Sequence, residues 1–275
     1  MPEINPAKKP EPIDVTGEVI SPDHDNITPL FMRHMAAYRC FREYLKDKKV
    51  LEVGFGEGYG TYYLSEAARE ITGIDVSLTL VEHAKGKYVR ENLYFIKGDA
   101  VGLPFPENSF DVVVSSQVLE HVKDYMAFLR ELRRVVRPGG TAIVATPNRM
   151  MMVDGVNPYH YKEFSAKELG KALGKVFPES QVFGLFGSDK YMALKTEEQG
   201  FAKRILALDF LRLRRFVPRP FIKPLYKKAF EAVNKRTEGM IKEAGEITVD
   251  DFSVSETCPE KGLDLIGICK KQVEK

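Results

Sequence analysis

Cysteine is scarce in this chain of 275 residues: three in all, Cys40, Cys258 and Cys269, far apart in sequence. An odd count with no CxxC pair offers neither a disulfide framework nor a zinc signature and fits a reducing compartment. Long apolar runs are missing too. None approaches the about 18 residues needed to span a bilayer, and the opening "MPEINPAKKPEPIDV" has no apolar h-region of a signal peptide. The expected location is therefore cytoplasmic. A net charge of only +2 neither requires nor forbids nucleic acid, and no internal repeat is visible. The five histidines (24, 34, 83, 121 and 160) lack the tight spacings of a zinc site, so no metal is expected.

With 44% hydrophobic residues, the chain can bury a large core. Residues 1–14 hold four prolines among charges and read as an extended tail. Residues 28–47 carry apolar side chains at helical spacing, Leu30, Met35, Tyr38, Phe41 and Leu45 among them. From residue 49 the rhythm alternates. Strands are predicted at 49–54, 70–75, 93–98, 110–116 and 140–146, with helices near 60–68, 78–90 and 123–136, the last stopped at Pro138 and Gly139. Such alternation implies a parallel sheet covered on both faces. Further strands are predicted at 181–187 and 263–271, too far apart for a hairpin turn, so residues 189–250 read as an insertion. The implied units are a tail and helical cap over 1–47, a core over 48–188, the insertion over 189–250, and a final core strand within 251–275.

Directly after the first strand, "VLEVGFGEGYG" places glycines at 54, 56, 58 and 60, two residues beyond the acid Glu52. Glycines let a strand-to-helix loop turn sharply and approach a ligand closely, and ligands of open parallel sheets bind beyond the carboxyl ends of the strands. A dinucleotide fingerprint needs glycines at i, i+2 and i+5. From Gly54 the third position is Tyr59, and from Gly56 it is Thr61, so neither register fits. The pattern is GxGxG with a preceding acid.

That motif resembles the S-adenosylmethionine site of class I methyltransferases, and the following segments match in order: "ITGIDVS", "KGDA", "LPFPENSFDVVVSSQVLEHV" and "RELRRVVRPGGTAIVATPN", over about residues 48–148. The resemblance implies a Rossmann-like seven-stranded sheet, mostly parallel, helices on both faces, the last strand antiparallel. It also implies cofactor contacts. Glu52 would meet the methionine ammonium, beside Gly54, Gly56 and Gly58. Asp75, followed by Val76, would take the ribose hydroxyls, and Asp99 with Ala100 the adenine. Ser116, Gln117 and Tyr38 would border the methionine end. "TGE" at 16–18, "RHMAAYRCF" and "TPNR…NPYHYKEFS" resemble a subgroup associated with cell-surface glycan assembly. The acceptor implied is a small molecule, a glycan or a lipid-linked species.

Two candidate bases stand near the expected acceptor end, His121 in "LEHV" and His160 in "NPYHYKEF", because imidazole suits proton transfer near neutral pH. A site with no dedicated base is the alternative. Residues 203–236 hold eleven Lys or Arg against two acids, a net +9, which leaves −7 for the rest. With apolar faces flanking Pro218 and Pro220, the segment reads either as a solvated helical cap or as a surface for anions, such as an acidic membrane. No nucleic-acid-binding module is recognisable in it, which disfavours nucleic acid. Three functional alternatives stay open: a nicotinamide oxidoreductase, a non-catalytic cofactor-binding protein, and a nucleic-acid binder acting through the basic segment.

Overall fold

A computed structural model describes residues 19–22, 28–152, 157–207, 228 and 245–273. Almost all of the basic segment, and the "TGE" motif, lie outside the described residues.

The first predicted strand is β1, Lys49–Val53. It is followed by β2 (Glu70–Asp75), β3 (Leu93–Lys97), β4 (Phe110–Ser116) and β5 (Val136–Pro147). Then come β6 (Glu179–Gly187), β7 (Phe252–Ser255) and β8 (Asp264–Lys270). They form one sheet in the order β3-β2-β1-β4-β5-β8-β6-β7. The five strands from β3 to β5 in that order pair parallel, and β8 runs antiparallel to both β5 and β6. The sheet is thus eight-stranded rather than seven-stranded. The extra strand is β7, four residues paired antiparallel with the edge of β6. Residues 251–273 therefore supply two strands, not one. "FSVS" is too short for alternation alone to reveal it.

Alternation decides how the central strands are buried. In β4, Val112 and Val114 face one core while Val113 faces the other, and in β1 Val50 and Leu51 divide in the same way. The first core is closed by α1 (Thr28–Arg42), α2 (Tyr59–Leu64) and α3 (Leu78–Lys87), which contribute Phe41, Leu64 and Val81. The second is closed by α4 (Tyr125–Val135) and α5 (Ala166–Gly174), through Phe128, Leu132 and Leu173. Local signals set the helix starts: Asp124 accepts from Ala127 N–H ahead of α4, and Ser165 with Glu168 forms a capping box on α5. α6 (Asp189–Ala207) follows β6 and lays Tyr191 and Leu194 into the first core. Among the described residues, no helix is long and apolar enough to cross a membrane.

α1 is tied down in its N-terminal half. The guanidinium of Arg33 donates from Nε to Asp264 Oδ2 at 2.6 Å, from Nη2 to Asp264 Oδ1, and from Nη2 to the Leu263 carbonyl at 3.0 Å. Because β8 runs opposite to β5, with Asp264 paired to Pro147, that ion pair lies at the edge where the parallel strands end. The same edge carries the glycine loop.

Candidate active site

The loop after β1 needs its glycines for conformation. Gly54, Gly56 and Gly58 have φ of +76°, +60° and +105°, the left-handed region that L side chains rarely occupy. A Cβ on Gly56 would meet nothing within 4 Å, so the space beside it is open. On Gly60 a Cβ would come within 2.1 Å of Tyr38 Cζ, because the Tyr38 ring is laid against the start of α2.

That ring reaches the acid of the motif. Tyr38 Oη donates to Glu52 Oε1 at 2.7 Å, both side chains buried. No hydrogen bond of good geometry reaches Glu52 Oε2, the buried Oγ1 of Thr61 or the Oγ of Ser116, although the Thr61 hydroxyl lies near enough to favour the ionised Glu52. Burial pushes the Glu52 carboxyl up to about 7. A buried acid with an oxygen unpaired is costly unless a donor or cation meets it, and the ammonium of an amino acid is such a group.

Asp75 ends β2. Its Oδ2 accepts from Gly56 N–H at 3.1 Å and its Oδ1 from Ser77 N–H at 3.0 Å, so it holds the glycine loop and opens α3 at once. Burial raises its pKa. An ionised carboxylate has about four acceptor sites, which leaves capacity for a pair of hydroxyls. Val76 beside it is 67% exposed. Asp99, after β3, is exposed and accepts from Val101 N–H at 3.0 Å, which turns the chain just past Ala100.

At the end of β4, Gln117 takes φ +57° with its N–H donating to the Ala145 carbonyl at 2.9 Å. Strained non-glycine backbone of this kind clusters at functional sites. Glu120 follows, buried, its Oε2 accepting from Thr146 Oγ1 at 2.9 Å. Its backbone carbonyl accepts from Tyr161 N–H at 2.7 Å, which draws the 157–164 loop over β4. The result brings together the two predicted histidines, 39 positions apart: the rings of His121 and His160 meet edge to face with centroids 4.8 Å apart. Burial, then the neighbouring His160, pushes His121 down to about 4. Burial pushes the Glu120 carboxyl up to about 7.

All eleven predicted cofactor residues lie on this one edge of the sheet or on α1 above it. Sequence reasoning missed the contributions of Thr61, Thr146, Asn157, Glu163 and the Arg33–Asp264 pair. Glu163 had a signal, three residues after His160 in the same motif. Arg33 and Asp264 had none, being 231 positions apart. A cleft of about 600 Å³ lined by Arg130, Arg133, Lys175 and Lys271 shares no residue with this site and opens near the other end of β5 and β8.

The donor set fits S-adenosylmethionine: an unpaired buried carboxylate oxygen for its ammonium, a carboxylate for its ribose, and an open glycine backbone between. Comparison with known proteins agrees. Residues 51–144 match the model of a methyltransferase domain. A probable S-adenosylmethionine-dependent methyltransferase of Mycolicibacterium smegmatis is 36% identical over 182 residues, 64% of this chain and 70% of the relative. The demethylmenaquinone methyltransferase of Staphylococcus aureus is 42% identical over 102 residues, 36% of this chain and 42% of that protein. A solved methyltransferase structure from Thermotoga maritima shares the fold at a TM-score of 0.54 and 18% identity, covering 88% of this chain and 93% of its own. A glycine register that rejects a dinucleotide, a carboxylate placed for a cationic amino acid and this likeness converge: the chain belongs to the S-adenosylmethionine-dependent methyltransferases.

Proposed function

We propose that the enzyme methylates a small-molecule, glycan or lipid-linked acceptor by in-line displacement, the acceptor entering over the carboxyl ends of β4 and β5. The observation that carries this reading is the His121–His160 pair over Glu120, three residues beyond Gln117. The cofactor supplies an activated methyl on a sulfonium, whose departing thioether is neutral. The protein's part is to align the two groups and keep water out. Glu52 holds the ammonium, Asp75 the ribose hydroxyls, and Asp99 with the Ala100 N–H the adenine, while Ser116 and Gln117 border the methionine end.

His121 and His160 are the groups available to take a proton from an acceptor hydroxyl. His160 is held in one tautomer. Asn157 Oδ1 accepts from Tyr159 N–H at 2.9 Å, so its amide nitrogen is the group facing His160 Nε2 at 2.9 Å. The Nε2 lone pair is therefore the acceptor, and Nδ1–H donates to Glu163 Oε1 at 3.0 Å. The staphylococcal relative's name gives it a demethylmenaquinone substrate, which supports a small-molecule acceptor here. By sequence, residues 1–47 read as a tail and helical cap, 48–188 with 251–275 as the catalytic core, and 189–250 as an insertion.

The test is methyl transfer from labelled cofactor into lysate fractions separated as lipid, glycan, small molecule, protein and RNA. Label is expected in one of the first three. Label only in protein or RNA would overturn the reading.

A further inference from the structure

We propose that Glu120, His121 and His160 form a binding site for one divalent transition-metal ion, zinc being the simplest probe, at the acceptor end of the cofactor pocket. Each of the three offers one ligand atom, and these atoms all lie within 4.8 Å of one another. Two imidazoles and a carboxylate are a donor set that suits zinc and other late first-row ions better than magnesium. The site is empty. Its donors sit wider than the roughly 3.4 Å expected around a tetrahedral zinc with ligands at about 2.1 Å. Closing that gap takes up to about 1.4 Å, chiefly by rotation of the His121 ring, whose side chain is 30% exposed against 8% for His160.

The arrangement around the three argues for a built site. Glu120 is fixed by burial and by Thr146 Oγ1 on its Oε2, while its Oε1 lies 3.9 Å from His121 Nε2. That separation is too long for a hydrogen bond and suits two donors flanking an ion. The ring of His121 also bonds the Tyr159 backbone. His160 shows the outer arrangement common behind metal-bound histidine: a carboxylate, Glu163, accepts from Nδ1–H at 3.0 Å, and the lone pair is on Nε2. The Asn157 amide that now meets Nε2 is a neutral donor, and an ion would displace it.

The consequence rests on the proposed methyl-transfer reading. An ion there would bind an acceptor oxygen directly and make its proton more acidic, so that neither imidazole need carry the proton. Binding itself does not depend on that reading, so the experiment is done without acceptor or cofactor.

Tag-free protein carrying Cys258→Ser, to remove the exposed thiol, is treated with chelator, dialysed and titrated with Zn²⁺ by calorimetry, with Mg²⁺ as control. One saturable equivalent of Zn²⁺ and no comparable Mg²⁺ binding is expected. His160→Asn and His121→Asn should each abolish the equivalent, and Glu163→Gln should weaken it about 10–100-fold by releasing the His160 ring. Co²⁺ added to the unmutated triad should give visible absorption bands of nitrogen and oxygen ligation, which reports on the site without any histidine variant. Absence of a saturable equivalent, or one that survives both histidine substitutions, would overturn the metal site and leave methyl transfer untouched. Metal binding in a protein that methylates nothing would uphold the site and sink the acceptor reading alone.

Discussion

Tyr38 on α1 donates its hydroxyl to Glu52 at the end of β1, 2.7 Å apart, in a region closed to solvent. The bond joins the N-terminal helix to the acid of the glycine motif, and it satisfies one carboxylate oxygen while the other stays unpaired. The N-terminal helix and the strand that leads into the glycine loop are therefore packed as a single unit.

Glu52 should make cofactor binding pH-dependent. With its carboxyl pushed up to about 7 by burial, it is protonated in the ligand-free protein below that pH and must ionise to hold an ammonium. Affinity for S-adenosylmethionine should fall up to about tenfold per pH unit below 7, and level off above it. Glu52→Gln should remove this slope and most of the affinity, as read by calorimetry between pH 5.5 and 8.5. The sign for stability is opposite. A carboxyl whose folded pKa is raised binds more protons folded than unfolded, so its stabilising share is present below the unfolded value and lost as pH rises through about 7. Glu52→Gln should thus melt several degrees higher than the parent at pH 8 without ligand. A lower melting temperature would show that the charge is not a burden.

Asp75 and Gly56 touch, yet their substitutions should separate binding from folding. Asp75→Ala loses an ionised acceptor and the bond to Gly56 N–H, a loss of about 1.5–3 kcal/mol in cofactor affinity. Gly56→Val has room for a side chain in the free protein, so its folding cost is the backbone strain of φ +60°, about 1–2 kcal/mol. Its cofactor affinity should vanish, because the side chain would occupy the ligand's place. Unchanged affinity in Asp75→Ala would reduce that residue to a cap of α3.

The Arg33–Asp264 pair should be among the costliest to break. Asp264 is fully buried, so Arg33→Ala strands its charge, at about 3–5 kcal/mol. Adding Asp264→Asn should recover part of the loss in urea unfolding. A cost below about 1 kcal/mol would mean that α1 is not locked by this contact. Deleting residues 1–45 should impair cofactor binding for the same reason, since it removes both Arg33 and Tyr38.

The +9 on residues 203–236 predicts attraction to acidic surfaces. At low salt the protein should sediment with vesicles of acidic lipid and not with neutral ones, each Lys or Arg near the surface contributing about 1 kcal/mol. Rising ionic strength should release it, because the attraction is screened within about 10 Å at 0.1 M salt. Replacing Arg212, Arg214, Arg215 and Arg219 by Gln should weaken the low-salt binding. Indifference to acidic vesicles would make the segment a solvated cap.

The sequence by itself determined the strand–helix alternation, the glycine turn and the family. Apolar period, glycine register and short-range acids are local properties, written within a few residues of one another. It also placed Glu52, Asp75 and Asp99 at strand ends, because an acid that closes a strand is visible as such. Only the tertiary structure decided what those acids meet. Burial raised Glu52, Tyr38 came to it from another element, and the backbone of Glu120 drew His160 onto His121 across 39 residues. The Arg33–Asp264 pair and the edge strand β7 belong to the same class. Such contacts arise from how the sheet orders its strands, β8 inserted between β5 and β6, and that order depends on packing summed over the whole core rather than on any segment's own pattern.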